Sequence, residues 1–107
     1  MSLLTTATAY LRRHIDAGCP LDTLLAAHPC DMTPSTASTP SIWVKVGGVM
    51  FADPAGDVRV KLKPHQIGVA FYWRDGRNEY AVFDARQLWD DIVNPKPVQL
   101  DFFELVA

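Results

Sequence analysis

The chain has 107 residues, a formal net charge of −2 and an apolar fraction of 49%. This length suits a single domain and excludes TIM barrels, protein kinases and dinucleotide-binding dehydrogenases, all of which need longer chains. The apolar fraction excludes a wholly disordered chain. The balanced charge excludes a strongly basic nucleic-acid coat and an acidic tail protein.

An uncharged stretch rich in serine, threonine and proline, residues 33–41, divides the chain. Such a composition is typical of linkers, because it lacks the apolar periodicity of a packed element. Residues 1–32 before it have the spacing of helices, and residues 42–107 after it are rich in strand-forming side chains. We therefore expect an N-terminal helical arm, a linker and a β-rich domain, which form one folding unit overall.

The arm is predicted to contain two helices. The first covers residues 5–17, where apolar side chains recur with helical spacing, and Gly18 ends it. Its predicted buried face consists of Leu4, Ala7, Leu11 and Ile15. A second, shorter helix begins at Pro20 and ends at Pro29, since proline suits a first turn and prevents continuation. Its predicted buried face consists of Leu21, Leu24 and Leu25.

The β-rich domain contains runs of strand-forming residues at 42–46, 49–51, 58–63, 67–73, 79–83 and 98–106. Gly47-Gly48 is predicted as a turn and Pro64 as a strand break, whereas the Asp-Gly pair within residues 74–78 predicts a tight hairpin. Asp84 is predicted to cap a short helix. The expected fold is α+β: an antiparallel sheet of about five strands, with the two-helix arm and one short helix before the last strand.

No catalytic constellation is recognisable, so we expect no enzyme activity and no cofactor. The histidines and cysteines lack the local setting of an activated nucleophile. Four potential zinc ligands lie close together in sequence: His14, Cys19, His28 and Cys30. Their spacing matches no zinc pattern, and small buried thiols with partly exposed histidines explain them better. We expect no metal site and favour reduced thiols, with a bridge or a bound metal left open.

One surface has a pattern that favours a function. Arg59, Lys61 and Lys63 alternate with aliphatic residues, so strand geometry places the three cations on one face. Lys45 alternates similarly with its valine neighbours. The predicted binding surface combines these cations with those at the hairpin end and one aromatic anchor: Lys45, Arg59, Lys61, Lys63, Tyr72, Arg74 and Arg77.

Three interpretations of this surface are open. It is a solvated face or a lysine-protected edge strand, a surface for a partner protein, or a nucleic-acid platform. A net charge of −2 and so few cations rank nucleic acid below protein. Our hypothesis is a small non-enzymatic regulatory or adaptor protein that binds another protein, and an inhibitor encoded by a mobile element fits this description. The alternative is a nucleic-acid-binding module.

Location and assembly are also predicted. The first residues lack the basic segment and apolar run of a signal peptide, and no apolar run is long enough for a membrane span. We therefore expect a cytoplasmic protein without membrane contact. Phe102 and Phe103 are adjacent, so in a strand they point to opposite faces and one needs cover outside the sheet. The N-terminal helix or a second subunit would supply this cover, and we predict a homodimer.

Overall fold

The structure is a computed structural model that describes residues 2–53 and 55–95. The elements in chain order are α1 (Leu3–Asp16), α2 (Leu21–Ala27), β1 (Cys30–Thr33), β2 (Ser41–Phe51), β3 (Arg59–Tyr72), β4 (Asn78–Asp84) and α3 (Ala85–Val93). The strands form one antiparallel sheet in the order β1-β2-β3-β4. The predicted α+β class and antiparallel sheet are confirmed. None of the helices in these ranges is long and apolar enough to cross a membrane.

The strand count differs from the prediction of about five. Within the described ranges the sheet has four strands, and the predicted strand at residues 98–106 lies outside them. The strand β1 was not predicted, because its four residues, Cys-Asp-Met-Thr, are all exposed and show no alternation. It pairs with the start of β2, from Cys30 opposite Lys45 to Thr33 opposite Ile42.

The predicted turn and the predicted strand break both lie inside continuous strands. The register of β2 against β3 shifts between Val46 and Gly48, which is a β-bulge, and Gly47 and Gly48 have φ values of +65° and +80°. Glycine adopts such angles without a steric cost, so the strand continues through the bulge. Pro64 lies opposite the bulge, where β3 has no partner in β2, so its missing N–H leaves no ladder bond unmade.

The first helix begins earlier than predicted, and its buried face matches the prediction at Ala7 and Leu11 only. Ser2 caps it by accepting a hydrogen bond from the Thr5 amide, so the helix starts at Leu3. Its buried residues are Ala7, Tyr10 and Leu11, whereas Leu4 is 49% exposed. The buried stripe is therefore rotated toward Tyr10, whose large ring covers more apolar surface than Leu4.

All three helices pack on one face of the sheet and share its main core. The fully buried members of this core are Ala7, Leu11, Val46, Ile67, Val69, Phe71 and Ala85. The predicted cap of α3 is confirmed, since the Asp84 carboxylate accepts hydrogen bonds from the amides of Arg86 and Gln87. The helical arm thus packs on the sheet of its own chain, and α3 closes the same layer.

The outer half of the β2–β3 hairpin folds back over the opposite face of the sheet. Tyr72 pairs with Ser41, and Phe51, ten residues farther along β2, pairs with Arg59. In a straight strand these two ends would lie roughly 33 Å apart. Nevertheless the Tyr72 hydroxyl donates a hydrogen bond to the Phe51 carbonyl. The ladder must therefore bend sharply, and the bulge opposite Pro64 is the place where its pairing is interrupted.

A second, smaller core forms where the hairpin meets the sheet. Its buried residues are Met50 and Leu62 from the hairpin and Ala70 from the sheet. The contact passes over Gly68, where an added Cβ would lie 2.8 Å from the Met50 sulfur and 3.1 Å from Leu62 Cδ1. A side chain at position 68 would therefore push the hairpin away, and glycine permits the close approach.

Candidate functional site

The predicted binding residues fall into three separate environments. Arg59, Lys61 and Lys63 lie on the outside of the folded-back hairpin, Lys45 and Tyr72 line a cleft beneath it, and Arg74 and Arg77 belong to the β3–β4 turn. The sequence predicts these seven residues as one surface. Alternation along a strand shows which side chains share a face, but it does not show where the strand bends. The three environments differ in what they can bind.

The hairpin outer face combines cations with exposed apolar side chains; it consists of Val49, Phe51, Arg59, Lys61 and Lys63. Val49 is paired with Lys61 and Phe51 with Arg59, so each pair points to the same side. The neighbouring Leu62 points the other way, into the second core. Val49 is 47% and Phe51 50% exposed, and the Arg59 guanidinium lies 5.6 Å from the centre of the Phe51 ring.

The cations of the hairpin outer face have no carboxylate partner in the described ranges. The ion pairs found there join Arg77 to Asp75 and Arg86 to Asp22, both elsewhere in the fold. Among the described residues the hairpin backbone also has no neighbouring strand on either side, because β1 covers β2 only as far as Lys45 and β4 covers β3 only from Gln66 onward. The outer face is thus a cationic and apolar surface, flanked by strand edges that no described residue pairs with.

The two arginines at the β3–β4 turn are engaged within the chain. Arg74 donates from Nε to the Ser35 hydroxyl and from Nη2 to the Ser35 carbonyl, each at 3.2 Å. Arg77 is paired with Asp75 at 2.8 Å and lies 4.7 Å over the centre of the Trp73 ring. These contacts tie the predicted linker to the sheet and stabilise the hairpin turn, which accounts for both residues structurally.

A cleft of about 500 Å³ lies between the folded-back hairpin and the sheet. Its principal lining residues are Trp43, Lys45, Met50, Phe51, Asp53 and Tyr72. Sequence reasoning missed this cleft because its walls come from opposite ends of β2. The available signal was the coincidence of a Gly-Gly pair and a proline on neighbouring strands, which marks a point where a ladder can bend.

The aromatic wall of the cleft carries two polar groups with distinct surroundings. Trp43 and Tyr72 meet edge to face, with ring centres 6.0 Å apart. Burial, and secondarily the nearby Asp53 carboxylate, raises the pKa of the Tyr72 phenol, which therefore stays neutral and able to donate. The Trp43 indole nitrogen is buried and finds no acceptor among the described residues, an arrangement that costs free energy until an acceptor is supplied.

A polar contact on the helical side of the sheet joins α1 to β1. The Tyr10 hydroxyl donates to the Asp31 carboxylate at 2.6 Å, and the Arg13 guanidinium lies 5.3 Å from the Tyr10 ring centre. Burial raises the pKa of Tyr10 above its ordinary value, and the bond to Asp31 adds to that effect. This contact holds the edge strand β1 against the helix.

The histidines and cysteines have separate surroundings. His28 approaches the Val46 carbonyl through Nδ1 at 3.2 Å, and His14 packs edge-on against Tyr10 with ring centres 4.8 Å apart. Cys19 and Cys30 are not bridged. Across residues 2–53 and 55–95, no three histidine, cysteine or acidic side chains are grouped as metal ligands.

Comparisons of the chain with models of known families, with curated proteins and with solved structures give no significant match. The two surfaces that the bent hairpin creates are therefore the candidates for function.

Proposed function

We propose that this protein is a small non-enzymatic regulatory or adaptor protein, and that it binds another protein through the hairpin outer face. The observation that supports this most directly is the combination of two kinds of side chain on one face. Arg59, Lys61 and Lys63 are exposed and form no ion pair within residues 2–53 and 55–95, and Val49 and Phe51 are half-exposed. An aromatic and an aliphatic group surrounded by cations suit a protein surface that offers apolar and acidic side chains together.

The chemistry of the partner follows from the geometry of the outer face. Cations and apolar groups face one another across β2 and β3, so an extended segment with alternating acidic and apolar side chains would match both. The hairpin edges, which pair with no strand in the described part of the chain, could accept such a segment as an added strand, with main-chain hydrogen bonds contributing affinity. We therefore propose an acidic, apolar strand-like segment as the binding partner.

Nucleic acid is the weaker candidate for the same face. A phosphate backbone would use the cations but leave Val49 without a matching group, since base recognition on such platforms uses aromatic stacking. Few phosphate contacts also give weak affinity that salt abolishes readily. Phe51 beside Arg59 is a pair that would suit a base.

The test compares baits that differ only in the place of a charge reversal. Quantitative affinity capture from an extract of the source cells uses the wild type, Lys61→Glu and Arg12→Glu. Arg12 is an exposed cation on α1 with no ion pair in the described part of the chain, so it matches the change in net charge. Each captured protein is then produced separately and its affinity for the three baits measured.

The proposal requires direct binding that Lys61→Glu weakens and Arg12→Glu leaves unchanged. Equal affinity for all three baits would exclude the hairpin outer face as the binding site. A parallel titration uses mixed-sequence single-stranded and duplex DNA and RNA at roughly 50 mM salt. Nucleic-acid binding that Lys61→Glu removes, with no protein binding, would replace the proposal with the alternative.

We also propose a cytoplasmic location and a homodimer. Two unbridged thiols, Cys19 and Cys30, are compatible with a reducing compartment. The homodimer stays a prediction, because Phe102 and Phe103, on which it was based, lie outside the described residues. Sedimentation at high micromolar concentration tests it, and a monomer under those conditions would contradict it.

A further inference from the structure

The cleft beneath the hairpin is a second candidate surface, distinct in chemistry from the hairpin outer face. Its volume of about 500 Å³ lies within the range of small-molecule sites. Trp43 and Tyr72 form one wall and Met50 belongs to the opposing hairpin. Aromatic walls and a flexible thioether favour a ligand with a flat apolar body, because such a body makes offset or edge contacts with each of them.

The charged groups of the cleft determine which charge its ligand should carry. Asp53 Oδ1 already accepts a hydrogen bond from the Ala55 amide at 3.0 Å. Lys45 is half-buried, and its Nζ lies 3.7 Å from the place where a Cβ on Gly48 would stand. No carboxylate or other acceptor among the described residues meets this ammonium group. Neither charge has an ion-pair partner in the described ranges. Asp53 already has an amide donor, whereas Lys45 has no acceptor among those residues, so a ligand that supplies the missing acceptor is an anion.

We propose that this cleft binds a small organic anion whose flat apolar body packs against Trp43 and Tyr72 and whose carboxylate meets the Lys45 ammonium. The indole N–H of Trp43 is buried behind the same wall and meets no acceptor among the described residues, so its resonance can report on binding there. The cleft shares Val49 and Phe51 with the hairpin outer face, since both residues also line it. The two proposals are separable through their cations, because the outer face uses Arg59, Lys61 and Lys63 and the cleft uses Lys45.

The test uses two probes that differ in charge and share an apolar body, 2-naphthoate and 2-naphthylmethanol. Binding is followed by NMR through the Trp43 indole N–H resonance, which Trp43→Phe identifies. We expect 2-naphthoate to shift this resonance saturably and to bind the Lys45→Met variant about tenfold more weakly. The affinity of 2-naphthylmethanol stays the same in that variant. Lys63→Met, a matched loss of charge on the outer face, leaves both affinities unchanged.

The proposal fails if 2-naphthoate leaves the Trp43 resonance unshifted at millimolar concentration, or if Lys45→Met and Lys63→Met weaken its binding equally. A second readout needs no variant at Lys45. Cys30 lies opposite Lys45 on β1 and lines the cleft, whereas Cys19 packs beside the main core. Bound 2-naphthoate should slow alkylation of Cys30 by iodoacetamide and leave Cys19 unaffected, and an unchanged rate at Cys30 would overturn the proposal.

Discussion

The Tyr72 hydroxyl donates to the Phe51 carbonyl, although the two residues lie at opposite ends of the β2–β3 ladder. This contact can form only because the ladder bends at the bulge and the outer hairpin returns over the sheet. The bend turns one face of the hairpin inward, where it builds the second core and the cleft. It leaves the other face, with Arg59, Lys61 and Lys63, directed outward.

The Tyr72 contact should contribute measurably to stability. Tyr72→Phe removes one hydrogen bond to a main-chain carbonyl, and we expect the free energy of unfolding in urea to fall by about 1 kcal/mol. Tyr80→Phe is the matched control, because Tyr80 is 48% exposed and its hydroxyl makes no hydrogen bond within the described ranges. Equal stability of the two variants would show that Tyr72 does not hold the hairpin.

The bulge should tolerate no side chain at Gly47. An added Cβ would overlap the His28 ring and lie 3.3 Å from Pro64 Cα, at a φ of +65°. Gly18 has a similar φ of +76° with nothing within 4 Å, so Gly18→Ala measures the backbone strain alone. We expect Gly47→Ala to lower the free energy of unfolding by about 2 kcal/mol more than Gly18→Ala. Similar losses in denaturant titrations would contradict the packing of His28 on the bulge.

Ionisation of Tyr10 should lower the stability of the folded chain in alkaline solution. Its pKa is raised by burial and by Asp31 above the ordinary value of 10.0, so the folded state keeps a proton that the unfolded state releases. The stabilisation is therefore complete below pH 10 and declines as the pH rises above it, by at most about 1.4 kcal/mol per pH unit. The stability difference between wild type and Tyr10→Phe should shrink across that range in urea titrations. A stability difference that stays constant with pH would contradict the raised pKa of Tyr10.

Asparagine should replace Asp84 as the cap of α3, whereas alanine should not. Asp84→Ala removes the acceptor for the Arg86 and Gln87 amides and should cost about 1 kcal/mol of unfolding free energy. Asparagine is an equally good cap, so Asp84→Asn should stay within about 0.5 kcal/mol of the wild type. Thermal unfolding of the two variants tests this, and equal losses would show that the charge of Asp84 matters rather than its cap.

Local features of the fold were predictable from the sequence. The caps and breakers depend on residues close in the chain, so Asp84 and the Asp-Gly turn were placed correctly. The predicted buried face of α1 was partly wrong. Leu4 and Tyr10 are both apolar enough to be buried, and the surface of the sheet against which α1 packs decides between them. Tyr10 is buried because its hydroxyl reaches Asp31 on a strand that the sequence did not reveal.

The bend and the cleft could not be predicted, because they depend on contacts between residues far apart in sequence. Gly47-Gly48 indicates a turn and a bulge equally well, and the choice depends on whether β3 offers a pairing partner on each side. The cationic stripe was predictable as an alternation along one strand. The separation of this stripe from Lys45 was not predictable, because the side chains of the strand change from one face to the other at the bulge.

The most direct test of the folded-back hairpin is a nuclear Overhauser measurement between the Met50 methyl group and the Gly68 α-protons. Their close approach crosses the gap between hairpin and sheet, so a strong signal is expected together with the ladder signals between Val49 and Lys61. If the ladder signals are present and the Met50–Gly68 signal is absent, the hairpin extends away from the sheet. The cleft and the single-sided outer face would then not exist.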